Sequence, residues 1–173
     1  MEQDTTSVYE SFIFHLPKLR SYYVEIPHSI LIIHQQKEDK SLFNQRFLIS
    51  LNESEFWQAG VVSLGNQTGY ITVKTAILKN LNLALGSPVK VTLKRDLSEF
   101  GMPISEELAE VLNQDPEGEI RFRKLPLGKQ RFIIYYVNQV KSSQKRIERA
   151  WMLISNLKRC PIGKEEFRSI LGK

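Results

Sequence analysis

Cysteine is almost absent from this chain of 173 residues: Cys160 stands alone. One thiol excludes an internal disulfide and any zinc site built from several cysteines. Histidine is scarce too, limited to His15, His28 and His34. No two of them stand at the i, i+2 or i, i+3/i+4 spacing that brings two ligands onto one metal. No apolar run approaches the roughly 18 residues that span a membrane; the longest are Phe132 to Val137 and Ala150 to Ile154. The first six residues are polar and acidic, unlike a secretory leader, so the expected location is the cytoplasm. There is no Gly-x-Ser-x-Gly elbow, and no Gly-Lys-Ser/Thr follows Gly65-Asn66-Gln67-Thr68-Gly69, which reads as a hairpin turn. Nor is there an internal repeat legible in the residues. Nothing here meets the geometry of a catalytic constellation, so the expectation is a non-enzymatic protein without cofactor or metal.

What the sequence does hold is unevenly placed charge. Lys and Arg number 24 against 19 Asp and Glu, a net of +5. Residues 1–100 are neutral, with ten charges of each sign. Residues 120–160 carry eleven basic side chains and one acid, Glu148, a net of +10. Concentrated charge of one sign can attract an anionic partner.

The pattern of elements changes near residue 97. Before it, short β-prone segments alternate with turns. Phe47, Ile49 and Leu51 alternate, as do Val89, Val91 and Leu93, the period-2 mark of half-buried strands. Ser11 to Leu16, Phe56 to Leu64 and Tyr70 to Val73 are further expected strands, and Thr75 to Leu83 a short helix. Ile30 to Gln35 fits either state. Phe100-Gly101-Met102-Pro103 reads as a linker. Beyond it, Ser105, Asp115-Pro116 and Ser142-Ser143 are helix start signals. Phe132, Tyr136 and Val140 define the expected inner face of one helix. Ile147, Ala150, Trp151, Ile154 and Leu157 define that of the clearest helix, which Cys160-Pro161 ends. The fold class expected is α+β, a mostly-β unit over 8–97 followed by a small helical unit over 103–173.

Two runs of residues carry a family resemblance. Tyr23-Val24, Ile26-Pro27, Gly69-Tyr70, Val73, Lys79, Leu83, Gly86, Val89, Val91, Leu93 and Asp96 resemble a prokaryotic domain of unknown function that folds as an AbrB-like double-split β-barrel. Pro103, Leu108, Leu112, Asp115, Phe122, Leu125-Pro126, Lys141, Arg146 and Arg149 resemble the helical YdeI/OmpD-associated, or bacteriocin-protection, family. The resemblance implies a split barrel followed by helices, and by name only a link to antimicrobial-peptide or bacteriocin resistance. The chain departs from the first pattern at Leu78, Asn82 and Ser87, where an arginine, a glycine and an acid are usual. It departs from the second at Gly128 and Lys145, where serine and threonine are usual.

Candidate anion-binding residues are Lys141, Lys145, Arg146 and Arg149, expected on one side of the last long helix, with Arg131 and Lys129 from the element before it. Arginine forks suit phosphate or carboxylate. The expected partner is a nucleic acid or an acidic protein. Tyr22, Tyr23, Tyr135 and Tyr136 could stack on bases. The alternatives are a small-ligand site with Gln130, Arg131 and Tyr136 in a cleft, and a self-associating module, expected as a homodimer.

Overall fold

The computed structural model describes residues 5–173. The chain divides into two units, one ending at Leu97 and the other starting at Ser98. The first holds β1 (Thr6–Phe12), β2 (Phe14–Leu16), β3 (Ser21–Ile26), α1 (His28–Ile33), β4 (Arg46–Leu51), β5 (Trp57–Gly60), β6 (Val62–Gly65), β7 (Thr68–Val73), α2 (Thr75–Asn80) and β8 (Pro88–Arg95). They form two four-stranded antiparallel sheets, ordered β1-β8-β4-β5 and β2-β3-β7-β6. Neither ladder closes into a barrel among the described residues. The alternating positions of β4 and β8 bury Phe47, Ile49, Leu51, Val89, Val91 and Leu93 in one core with Val24, Ile26, Ile71 and Val73 of the other sheet.

The topology contains an internal equivalence between two halves, alongside the absence of a legible sequence repeat. The run β1-β2-β3-α1-β4 maps onto β5-β6-β7-α2-β8, and each sheet order reads the same from both ends under that exchange. The equivalence reaches single hydrogen bonds. Ile13, at the kink between β1 and β2, donates its N–H to Ser87 O at 3.0 Å; Val61, at the kink between β5 and β6, donates to Gln45 O at 3.2 Å. Ser87 and Gln45 directly precede β8 and β4. Both kink residues are buried. Each expected strand crossing these points, Ser11 to Leu16 and Phe56 to Leu64, is therefore two strands in different sheets. The trace in sequence is faint. Tyr23-Val24 and Ile30-Leu31 correspond to Tyr70-Ile71 and Ile77-Leu78, and strand cores demand only alternating apolar residues. Asn66 and Gln67 join β6 to β7 with φ of 47° and 63°, the two positive values of a type I′ hairpin turn.

The loop from His34 to Gln45 is fastened by a polar cluster. Arg95 donates to Gln45 Oε1 at 2.8 Å, to His34 O at 3.3 Å and to Asp39 Oδ1 at 2.5 Å. The His34 ring is buried, edge-on to Phe47, with Nε2 2.9 Å from Ser7 Oγ. Burial, and then the Arg95 charge, hold the His34 pKa below its ordinary value. The unfolded chain thus takes up the proton first. Stability from this site is complete above the unfolded pKa of about 6.5 and is lost as pH falls from there toward the folded pKa. Between neutral pH and pH of about 5, the β unit is expected to unfold at lower urea, and His34→Asn to flatten that dependence. Trp57 fluorescence in a Trp151→Phe background reads it out; equal pH slopes in both proteins would refute it.

The second unit holds α3 (Glu106–Gln114), α4 (Pro116–Lys124), α5 (Leu127–Asn138), α6 (Ser143–Arg159) and α7 (Phe167–Ile170). The start signals act as expected: Ser105, Asp115 and Ser142 accept from Leu108, Gly118 and Lys145 N–H groups. Phe100 is not linker. It is buried in the helical core, edge-on to Phe122 at 5.7 Å. No helix of the described residues is long and apolar enough to cross a membrane.

Candidate functional site

The basic segment, expected to act as one surface, is divided by packing. Arg121 lies against the end of α6, donating to Leu157 O at 3.0 Å and Cys160 O at 2.7 Å, and faces Glu165 at 3.4 Å. Arg123 pairs with Glu99 and Glu119. Lys158 lies 2.5 Å from Asp115 Oδ2. That bond and the Gly118 N–H hold the Asp115 carboxyl below the usual carboxylate range. All four of these acids lie outside residues 120–160 in sequence and fold back onto that segment. Glu165, in the segment before α7, is buried. Its own N–H and, against the effect of burial, that of Gly163 and the charges of Arg121 and Lys129 hold its carboxyl below the usual carboxylate range.

The expectation that Lys145, Arg146 and Arg149 share a solvent side needs correction. Arg146 turns inward, donating to Val140 O at 2.8 Å and facing Glu107 of α3 at 3.5 Å. Arg149 reaches α5, where it donates to Tyr136 O at 2.8 Å and lies 4.6 Å from the centre of the Tyr136 ring. Lys141 and Lys145 are exposed. Arg131 is half-buried, with Nη1 3.5 Å from Phe100 O. Gln130, a pocket candidate, is buried with its amide donating to Arg123 O and Leu125 O. It ties the α4–α5 turn to the helix. Trp151 also departs from expectation: it is 39% exposed, and Leu153 takes the core position beside Ile154.

The inner face of α5 differs from expectation in the same way. Gln130, Ile133, Ile134 and Val137 are buried, which moves Phe132 and Tyr136 to the rim. There they begin an aromatic run. Phe132 and Tyr136 rings are 6.2 Å apart, and Phe167 of α7 meets Phe132 at 4.7 Å and 63°. Phe167 is 48% exposed. Cations border this run at both ends. Arg149 covers Tyr136, while Lys129, Lys164 and Arg168 line an open groove with Phe167. Sequence reading misses Phe167 and Arg168. Their only signal is a basic–aromatic pair in a short terminal helix.

This surface can hold an anion and a flat apolar group together. It offers no nucleophile with a base. Cys160 is buried, its thiol 3.3 Å from Asn156 O. Among the described residues no three His, Cys, Asp or Glu side chains converge as a metal site.

Residues 102–159 match the family described as Bacteriocin-protection, YdeI or OmpD-Associated. The match runs from just before α3 to the end of α6, so Phe167 and Arg168 lie beyond it. No curated protein matches the chain.

Proposed function

We propose that the protein is a non-enzymatic binding module whose helical unit contacts an anionic partner, a nucleic acid or an acidic protein surface. One observation carries this reading: on the α5–α7 face, Arg149 and Arg168 border partly exposed rings instead of pairing with acids as Arg121, Arg123 and Lys158 do, and Lys129, whose charge also reaches Glu165, lines the same groove. Lys145, one turn before Arg149 on α6, extends the positive edge. Arg149, held over the Tyr136 ring with Nη1 on Tyr136 O, keeps its remaining N–H groups for an anionic acceptor at small entropic cost.

The AbrB-like relationship of the β unit belongs to the same proposal. The exchange of β1-β2-β3-α1-β4 with β5-β6-β7-α2-β8 supports it, because a split barrel assembled from two equivalent halves has that pairing. Self-association of the β unit would appear as a dimer mass in light scattering, and a monomer mass would remove it. The family description attaches a protection phenotype to the matched segment; extending it to this chain is part of the proposal.

The test is a salt series with inorganic polyphosphate as probe. Binding at low salt is expected, with log affinity falling linearly in log salt. Lys145→Glu, an exposed change, should weaken it severalfold. Failure of polyphosphate, nucleic acid and an acidic peptide alike to bind at low salt would sink the reading.

A further inference from the structure

The geometry points to single-stranded nucleic acid as the ligand of the α5–α7 face, with bases taken up on the Tyr136–Phe132–Phe167 run and phosphates at Arg149, Lys129 and Arg168. This rests on the anion-binding reading above and narrows it.

The rings supply the first argument. Phe132 and Tyr136 stand one helical turn apart on α5, so their separation is set by the backbone. α7 then docks Phe167 against Phe132 and continues the run past the end of the helix face. A bare phosphate has no use for these aromatic surfaces. A base does, since every base has a π-face, and such stacking contributes about 1–3 kcal/mol per base.

The spacing decides between one strand and two. Bases in a duplex follow one another at about 3.4 Å. Here the ring centres are 4.7 and 6.2 Å apart, and their planes differ by 63° and 35°. Successive bases would have to leave one another and each settle on its own ring. A single strand does this at little cost, whereas a duplex must first unpair and unstack.

The cations fit the same line. Arg149 sits at the Tyr136 end, and Lys129 and Arg168 sit with Phe167 at the other end. A strand laid along the rings would place phosphates near both ends. The acids nearby are accounted for. Glu165 is turned to Arg121 and to Gly163 N–H. Glu166 remains at the groove rim, where it disfavours phosphate at that point.

The experiment is fluorescence anisotropy of a labelled oligothymidine, the duplex of equal length and inorganic polyphosphate, at low salt. The single strand is expected to bind more tightly than the duplex. Phe167→Ala, an exposed truncation, should weaken the single strand about tenfold and leave polyphosphate unchanged, and Phe167→Tyr should restore it. Lys129→Gln with Arg168→Gln should lower the salt slope by about 0.7 for each phosphate left without its cation. The inference is overturned, with the anion-binding reading intact, if polyphosphate competes but Phe167→Ala has no effect, or if the duplex binds as well as the single strand. Both fall if no polyanion binds.

Discussion

Arg121→Ala is expected to destabilise the helical unit by about 3 kcal/mol, as much as truncating a buried core side chain. The helix α6 ends at Cys160-Pro161, where the last carbonyls run short of intrahelical donors; Leu157 O has only a bond of 3.2 Å from Cys160 N–H, which is shared with Asn156 O. Arg121, from the last turn of α4, supplies a further donor. Its Nη2 donates to Leu157 O and Cys160 O, and its charge faces the negative end of the helix dipole. The same guanidinium faces Glu165, and both side chains are about nine-tenths covered, at 13% and 11% exposure. Truncation would leave two carbonyls and a carboxylate without their cation, which costs more than the interactions themselves gain. Arg121→Lys should fall between, because a point charge cannot reach all three acceptors from one position. The measurement is urea unfolding followed by far-ultraviolet circular dichroism. A destabilisation smaller than about 0.5 kcal/mol, the size of an ordinary surface change, would show that α6 does not depend on this arginine. The result bears on function: it would class Arg121 with the structural cations and leave the α5–α7 edge as the positive surface open to a partner.

Gly118→Val should come close to the same effect by another route. Gly118 lies in the first turn of α4, where that helix crosses α6. A Cβ there would stand 2.3 Å from Ile154 Cγ2 and 2.9 Å from the Asp115 carboxyl carbon. Alanine elsewhere in a helix gains about 1 kcal/mol over glycine. Here that gain is opposed by overpacking of about 1–3 kcal/mol, and valine adds bulk without the propensity. The displaced atoms also matter, because Asp115 caps α4 through Gly118 N–H at 2.9 Å and pairs with Lys158. Coupling to Ile154 is the discriminating test. In Gly118→Ala with Ile154→Ala the combined destabilisation should be smaller than the sum of the two single ones, since the second change removes the atom that the first one strikes. Strict additivity would place the cost elsewhere.

Much of the helical unit is legible in the sequence because its signals are local. Ser105, Asp115-Pro116 and Ser142 mark starts through side chains that reach only three residues ahead. The stop at Cys160-Pro161 is equally local. The face of each helix is less legible. On α6 the sets Ile147–Ala150–Trp151–Ile154 and Ala150–Leu153–Ile154–Leu157 both satisfy helical spacing. Only the helices packed around α6 select the second and leave Trp151 at the surface. The candidate site suffers most, because a basic side chain reads the same in sequence whether its acid is absent or lies 44 residues away, as Glu165 does from Arg121.

The opening scarcities follow from composition alone: one cysteine rules out an internal disulfide and a multi-cysteine metal site in this chain whatever its fold. The sequence by itself also determined a β-rich first part, a helical second part and a net positive charge concentrated after residue 120, since periodicity, caps and charge counts are local quantities. Tertiary structure alone decided that β1–β4 and β5–β8 are equivalent halves. It alone split the basic side chains into those that close helix ends and those that border exposed rings. Strand partnership and ion pairing join residues far apart in the chain, and such contacts are selected by packing, on which local pattern carries no information.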